Sequence, residues 1–258
     1  MKLSIIILTR NSLKWIEPCL ESLLSTAGTF SKEWIVVDNG STDGSLQLVK
    51  TLLPQANIIR NIINLGVAKA RNQGLMASTG QYILLLDDDT QVPENAVTGL
   101  CEYLDQHPKC GMVGPQLVNP DGSIQYNALE LPSVRIKFNR VLKKIFGEPP
   151  DNKYKEFIDS ERPFHPGYLI GACQLIRREA ITSVGLLDEQ IFYGPEDADY
   201  CIRLRELGYE VVCLPSIKVI HAYQQQTYRL KKMALLWYHF KGLWYFWRKH
   251  RKINRPDE

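Results

Sequence analysis

The run Tyr82-Ile83-Leu84-Leu85-Leu86 is apolar on both faces and stops at three consecutive carboxylates, Asp87-Asp88-Asp89. A strand without alternation is buried on both sides, as in a parallel sheet covered by helices. Leu3 to Leu8 is a second such run, turning polar at Thr9-Arg10-Asn11, and Trp34-Ile35-Val36-Val37 is a third, ending at Asp38. Helical spacing fills the intervals over Ser12–Leu24, Ser45–Leu53, Val67–Ser78 and Pro93–Gln106. The pattern predicts an α/β chain with a Rossmann-like, mostly parallel central sheet. Further strands are expected at Ile58-Ile59, Met112–Val118, Tyr168–Ile176, Glu210–Leu214 and Ile217–Ile220, and a helix at Glu196–Leu207. The Pro-rich stretch Leu131–Pro166 reads as a loop region with short helices.

In open α/β sheets ligands bind beyond the carboxyl ends of the strands. Three strands here end in polar clusters, so Thr9-Arg10-Asn11, Asp38-Asn39-Gly40-Ser41-Thr42-Asp43-Gly44 and the Asp87 triplet should meet at one edge. Asp43 or Ser45 suits a helix cap. Capping does not account for Asp38, whose carboxylate could accept the N–H of a pyrimidine base. Three adjacent carboxylates repel unless they are solvated or hold a cation. Alternation puts Asp87 and Asp89 on one side, a hard-oxygen set that suits Mg²⁺ or Mn²⁺, against the simpler reading of a polar turn.

The series Ser4–Asn11, Asp38–Ser45, Asn64–Gly74, Leu86–Thr90, Gly171-Ala172, Arg177–Ala180, Gly185–Glu189 and Glu196–Arg203 resembles glycosyltransferase family 2, GT-A fold, in its rhamnosyltransferase-like subgroup. The resemblance covers residues 3 to about 222. It implies a nucleotide-binding half over 1–90, an acceptor-binding half over 91–222, and a separate tail over 223–258. By that resemblance Thr9, Asn11 and Asp38 surround base and ribose, with Asp38 selecting uracil or thymine. Asn64 and Gly66 close over the nucleotide, or simply start a helix, and Arg71 reaches base or phosphate. Gly171 and Ala172 belong to the nucleotide-sugar site. Asp89 binds the metal, Asp87 and Asp88 contact ribose, water or the cation, and His221 is a further metal ligand or a structural strand-end histidine.

The resemblance makes Asp197 the general base and Glu196 the second choice, although acids in a first helical turn also suit the macrodipole. Gly194-Pro195 departs from the aromatic residue usual before the acid pair, a place Tyr193 can fill. The implied reaction is a single inverting displacement from a dTDP- or UDP-sugar to a glycan or lipid-linked oligosaccharide. The Gln226–Leu230 segment lacks the Trp of the processive Gln-x-x-Arg-Trp signature, so transfer of one or a few sugars is expected. A nucleotidyltransferase would need a Gly-rich loop after the first strand, and a glycosidase needs no nucleotide site. A membrane-associated scaffold with a decayed site is the remaining alternative.

Net charge is only +3, too small to suggest nucleic acid binding, but its distribution is uneven. Arg229 to Lys252 holds eight basic residues and no acidic one, leaving the rest of the chain net acidic. Leu236, Trp237, Phe240, Leu243, Trp244 and Trp247 recur at helical spacing within it. Such an amphipathic helix suits an anionic membrane surface, with docking on the body or a homodimer contact as alternatives. No stretch reaches the roughly 20 apolar residues of a membrane span. Six scattered cysteines without Cys-x-x-Cys spacing read as reduced core residues, so a cytoplasmic, peripheral protein is expected.

Overall fold

The computed structural model describes residues 2–25, 31–145, 153–222 and 233–254; the Gln226–Leu230 segment lies outside them. The strands are β1 (Lys2–Thr9), β2 (Ser31–Asp38), β3 (Asn57–Arg60), β4 (Tyr82–Asp87), β5 (Thr90–Gln91), β6 (Cys110–Val118), β7 (Ala128–Leu129), β8 (Tyr168–Leu169), β9 (Cys173–Arg177) and β10 (Glu210–His221). The helices are α1 (Ile16–Leu24), α2 (Ser45–Leu52), α3 (Val67–Ala77), α4 (Ala96–Gln106), α5 (Val134–Ile145), α6 (Lys155–Asp159), α7 (Arg178–Val184), α8 (Glu196–Glu206) and α9 (Met233–Lys249).

Eight strands form one sheet in the order β3-β2-β1-β4-β9-β6-β10-β5, in which β9 and β5 run against the others. Side chains alternate across a strand. Leu3, Ile5 and Ile7 of β1 therefore join Tyr82, Leu84 and Leu86 of β4 in a core with α1, α2 and α4. Ile6, Ile83 and Leu85 enter a second core with α3, α7 and α8. Two covered faces explain the unbroken apolar runs. The small residues of α3 let it lie close to the sheet: a methyl on Gly74 would stand 2.5 Å from Ile6 Cγ2.

Several sequence-derived boundaries change. The first helix begins at Ile16 rather than Ser12, because the buried Ser12 N–H donates to Ser45 Oγ at 2.8 Å and ties the end of β1 to α2. The helix expected from Pro93 begins at Ala96. The Tyr168–Ile176 strand is two: β8 pairs with β7, whereas β9 enters the main sheet antiparallel between β4 and β6. Conversely, Glu210 to Ile220 is one strand, with a register shift between Leu214 and Lys218 around Pro215, which has no N–H for the ladder.

The tail helix docks on the body with one face only. Leu243 and Phe246 are buried, and Trp247 Nε1–H donates to the Pro132 carbonyl at 2.6 Å. Leu236, Trp237, Phe240 and Trp244 face outward, so the single apolar stripe read from the sequence divides between two faces. One of the basic residues is used internally: Lys249 Nζ lies 2.7 Å from both Asp188 and Asp199. His250 Nε2 is 2.7 Å from Asp199, and Arg203 Nε donates to the same fully buried carboxylate at 2.8 Å.

Burial alone would raise the Asp199 carboxyl, yet bonds from His250 and Lys249 with the Arg203 charge hold it down to about 2. Its stabilising contribution is complete above an unfolded carboxyl's value of about 4 and disappears as pH falls through the folded value. Asp199→Ala removes the counter-charge that Lys249 and Arg203 share and is expected to cost about 2 kcal/mol in urea unfolding at pH 7. The difference from wild type should shrink below pH 4; a difference independent of pH would show that the clamp does not hold α9.

A candidate active site joining two acid clusters

Strand register assembles the site. Thr9 pairs with Asp38 and Leu8 with Asp87, so the polar ends of β1, β2 and β4 meet at one sheet edge. A cavity of about 720 Å³ opens there, lined by the Asp87-Asp88-Asp89 triplet, Arg71, His221, Gly171 and the Glu196-Asp197 pair.

Arg71 is the buried cation of this cavity. Its Nη2 donates to Asp87 Oδ1 at 2.6 Å and to the Gly171 carbonyl at 2.7 Å. Burial disfavours its charge, but Asp87, Glu196 and Asp197 more than restore it and raise its pKa. Gly171 must lack a side chain, because a methyl there would stand 2.0 Å from Arg71 Nη1. The same loop bonds both acid clusters through its main chain. Gly171 N–H donates to Asp197 Oδ2 at 3.2 Å, and the Ala172 carbonyl accepts Asp87 N–H at 3.0 Å.

After the triplet the chain folds back as β5, which pairs with the end of β10 and places His221 opposite Thr90. One ligand atom from each of Asp87, Asp89 and His221 then lies within 4.8 Å of the others. Gln125 Nε2 donates to the His221 carbonyl at 2.6 Å and to Asn119 Oδ1 at 2.6 Å, leaving its Oε1 to accept His221 Nδ1–H at 2.9 Å. That tautomer points the Nε2 lone pair at Asp89 Oδ1, 3.2 Å away. Two facing acceptors need a proton or a cation between them. Two carboxylates and an imidazole whose Nε2 is turned toward them are a donor set that fits Mg²⁺ or Mn²⁺. Asp88 turns aside: its Oδ2 accepts Arg10 N–H at 3.1 Å, and burial with the neighbouring carboxylates pushes it up to about 7.

Glu196 and Asp197 start α8. Burial raises both carboxyls, while the Arg71 charge lowers both. Asp197 is oriented by two main-chain donors, Ala198 N–H at 2.8 Å and Gly171 N–H at 3.2 Å. Glu196 Oε2 is buried without a hydrogen-bond partner.

The remaining sequence-derived residues divide. Asn64 and Gly66 line the cavity, Asn64 Oδ1 accepting from Asn39 Nδ2 at 2.8 Å and from Gly66 N–H at 3.0 Å. Gly66 has φ +86° and would place a methyl 2.6 Å from the Phe192 carbonyl. Thr9, Asn11 and Asp38 do not line the cavity. Thr9 is fully buried, Asn11 Oδ1 accepts Thr42 N–H at 2.8 Å, and Asp38 Oδ1 accepts Ser41 N–H at 2.9 Å. Asp38 Oδ2 is buried with no hydrogen-bond partner. Gln125, Asn119, Lys137 and His239 line the cavity but carry no sequence signal, since loops and helices far along the chain bring them in.

The sequence model described as Glycosyl transferase family 2 matches residues 4–185. An N-acetylglucosaminyl-diphospho-decaprenol L-rhamnosyltransferase of Mycobacterium tuberculosis (strain ATCC 25618 / H37Rv) is 31% identical over 230 residues, covering 82% of this chain and 74% of the relative. The dTDP-rhamnosyl transferase RfbF of Shigella flexneri is 26% identical over 199 residues, covering 76% and 62%. The solved mannosyltransferase PcManGT of Pyrobaculum calidifontis, in complex with GDP-Man and Mn²⁺, superposes with TM-score 0.62 at 19% identity over 88% of this chain and 58% of its own. TarS 1–349 of S. aureus gives TM-score 0.62 at 19% identity over 87% and 61%. The chain shares the GT-A fold of these structures.

Proposed function

The chain belongs to glycosyl transferase family 2, and from that premise we propose an inverting, divalent-cation-dependent enzyme that moves rhamnose or a hexose from a dTDP- or UDP-sugar to a glycan or lipid-linked acceptor. That it is a glycosyltransferase of polysaccharide synthesis follows from the family and the rhamnosyltransferase relatives. The observation carrying the finer reading is that the Asp87–Asp89–His221 cluster and the Glu196–Asp197 pair line one cavity and share Arg71. The relatives' names support dTDP-rhamnose as donor and a sugar diphospholipid as acceptor.

In this reading residues 1–90 hold the nucleotide and 91–222 the acceptor. Asp197, fixed by two main-chain donors, takes the acceptor hydroxyl proton as that oxygen bonds to the anomeric carbon. The bond from that carbon to the diphosphate oxygen breaks on the opposite face, and its electron pair leaves with the nucleoside diphosphate. One displacement inverts the anomeric centre without an enzyme nucleophile. Asp87, Asp89 and His221 would hold the divalent cation, which when bound would offer positive charge to the diphosphate. Arg71 keeps Asp87 in place and favours the ionised form of Asp197.

Support for a peripheral position on the cytoplasmic membrane face comes from the outward aromatic face of α9 and its exposed neighbours Lys241 and Arg248. Among the described residues no helix is long and apolar enough to cross a membrane.

Calorimetric titration of dTDP, UDP and GDP with Mn²⁺ should show pyrimidine-specific binding that is lost without metal and in Asp89→Ala; absence of all binding would sink the donor assignment. Asp197→Asn should lower kcat at least ~100-fold while leaving dTDP affinity intact. Because burial raises the Asp197 carboxyl and the base works ionised, the wild-type rate should fall as pH drops, with a midpoint above the ordinary carboxylate value of about 4. Cosedimentation with phosphatidylglycerol vesicles should be salt-sensitive and weakened by Trp237→Ala with Trp244→Ala; equal recovery of wild type and variant would exclude α9 as the anchor.

A further inference from the structure

His239 stands on α9, beyond the residues the family model matches, yet its ring forms part of the cavity wall. It reaches the cavity because α9 lies directly on the loop before the acid pair. A methyl on Gly242 would stand 2.6 Å from the Gly194 carbonyl oxygen, so only a bare backbone permits the approach. Phe192 stacks on Tyr238 at 4.3 Å between ring centres, and Tyr193 meets the His239 ring edge-on at 6.1 Å. Gly194 itself has φ +42°, a left-handed conformation that favours glycine.

Two buried polar atoms here lack hydrogen-bond partners, His239 Nδ1 and Glu196 Oε2. A methyl placed on Gly194 would lie 3.3 Å from the first and 3.9 Å from the second, so both border the same space. Burial and the nearby Lys137 charge lower the His239 pKa by more than a bond to the Tyr193 main chain raises it. Buried polar groups ordinarily find partners, and orphaned ones at a cavity wall are open to a ligand. A sugar hydroxyl, which both donates and accepts, matches a carboxylate oxygen and an imidazole nitrogen of either tautomer.

We propose that His239 and Glu196 form a hydroxyl-binding subsite for the acceptor sugar, so that the tail helix takes part in choosing the acceptor. The proposal rests on the transferase reading above. The subsite adjoins Asp197, and its ligand is a pyranose whose hydroxyl donates to Glu196 Oε2 while a hydroxyl of the same ring meets His239 Nδ1.

The test is steady-state transfer from dTDP-rhamnose to N-acetylglucosaminyl-diphospho-decaprenol by wild type, His239→Ala and His239→Asn, alongside dTDP titration and thermal midpoints. His239→Ala should raise acceptor KM about tenfold, with a smaller effect on kcat and an unaltered dTDP Kd. His239→Asn restores a polar atom on the Nδ1 side and should recover most of that loss. Unchanged acceptor KM in His239→Ala, or a loss confined to kcat or to dTDP affinity, overturns the subsite alone. A folded wild type that transfers no sugar overturns this donor–acceptor pair as the reaction and the subsite with it.

Discussion

The site depends on one buried guanidinium. Arg71 neutralises Asp87 at 2.6 Å and raises its own charge stability through Glu196 and Asp197, which reach it from the other side of the cavity. Without it, acids from β4 and α8 would converge with no fixed counter-charge, and a buried unpaired carboxylate costs several kcal/mol. α3 can deliver Arg71 because Ala68, Ala70 and Gly74 let the helix sit low on β1. The small-residue helix, the bare Gly171 and the acidic strand ends are thus parts of one arrangement, in which burying a single cation organises carboxylates from distant segments.

The central sheet was legible because its strands are apolar on both faces, and their abrupt polar ends marked the edge at which the cavity opens. The motif series singles out Asp89, Asp197 and Arg71, and folding brings all three to the cavity. Antiparallel insertion of β9 was not, since Cys173–Arg177 has the same apolar composition in either direction. Gln125, which orients His221, sits in a stretch without periodicity and shows its role only once β5 folds back on β10. Asp38 shows the opposite case: its position in the sequence points to the ligand, while its Oδ1 holds the turn at Ser41 and its side chain lies off the cavity.

The tail shows why amphipathicity alone cannot name a partner. Apolar residues occupy two sides of α9: Leu243 and Phe246 meet the body, and Trp237 and Trp244 meet solvent. Its charge is likewise divided, with Lys249 spent on Asp188 and Asp199 while Lys241 and Arg248 stay exposed. Pattern predicts that a helix forms and is two-sided, but the acids that capture Lys249 lie 50 or more residues earlier and become visible only after folding.

The clamp of Asp188 and Asp199 on α9 also bears on how such enzymes diversify. Asp87 and Arg71 lie on β4 and α3, whereas the wall beside Gly194 is borrowed from α9. Exchange of α9 can replace that wall without disturbing the polar strand ends, provided the incoming helix brings a cation for Asp199 and a residue as small as Gly242. One wall of the cavity can then drift while the opposite one stays the same.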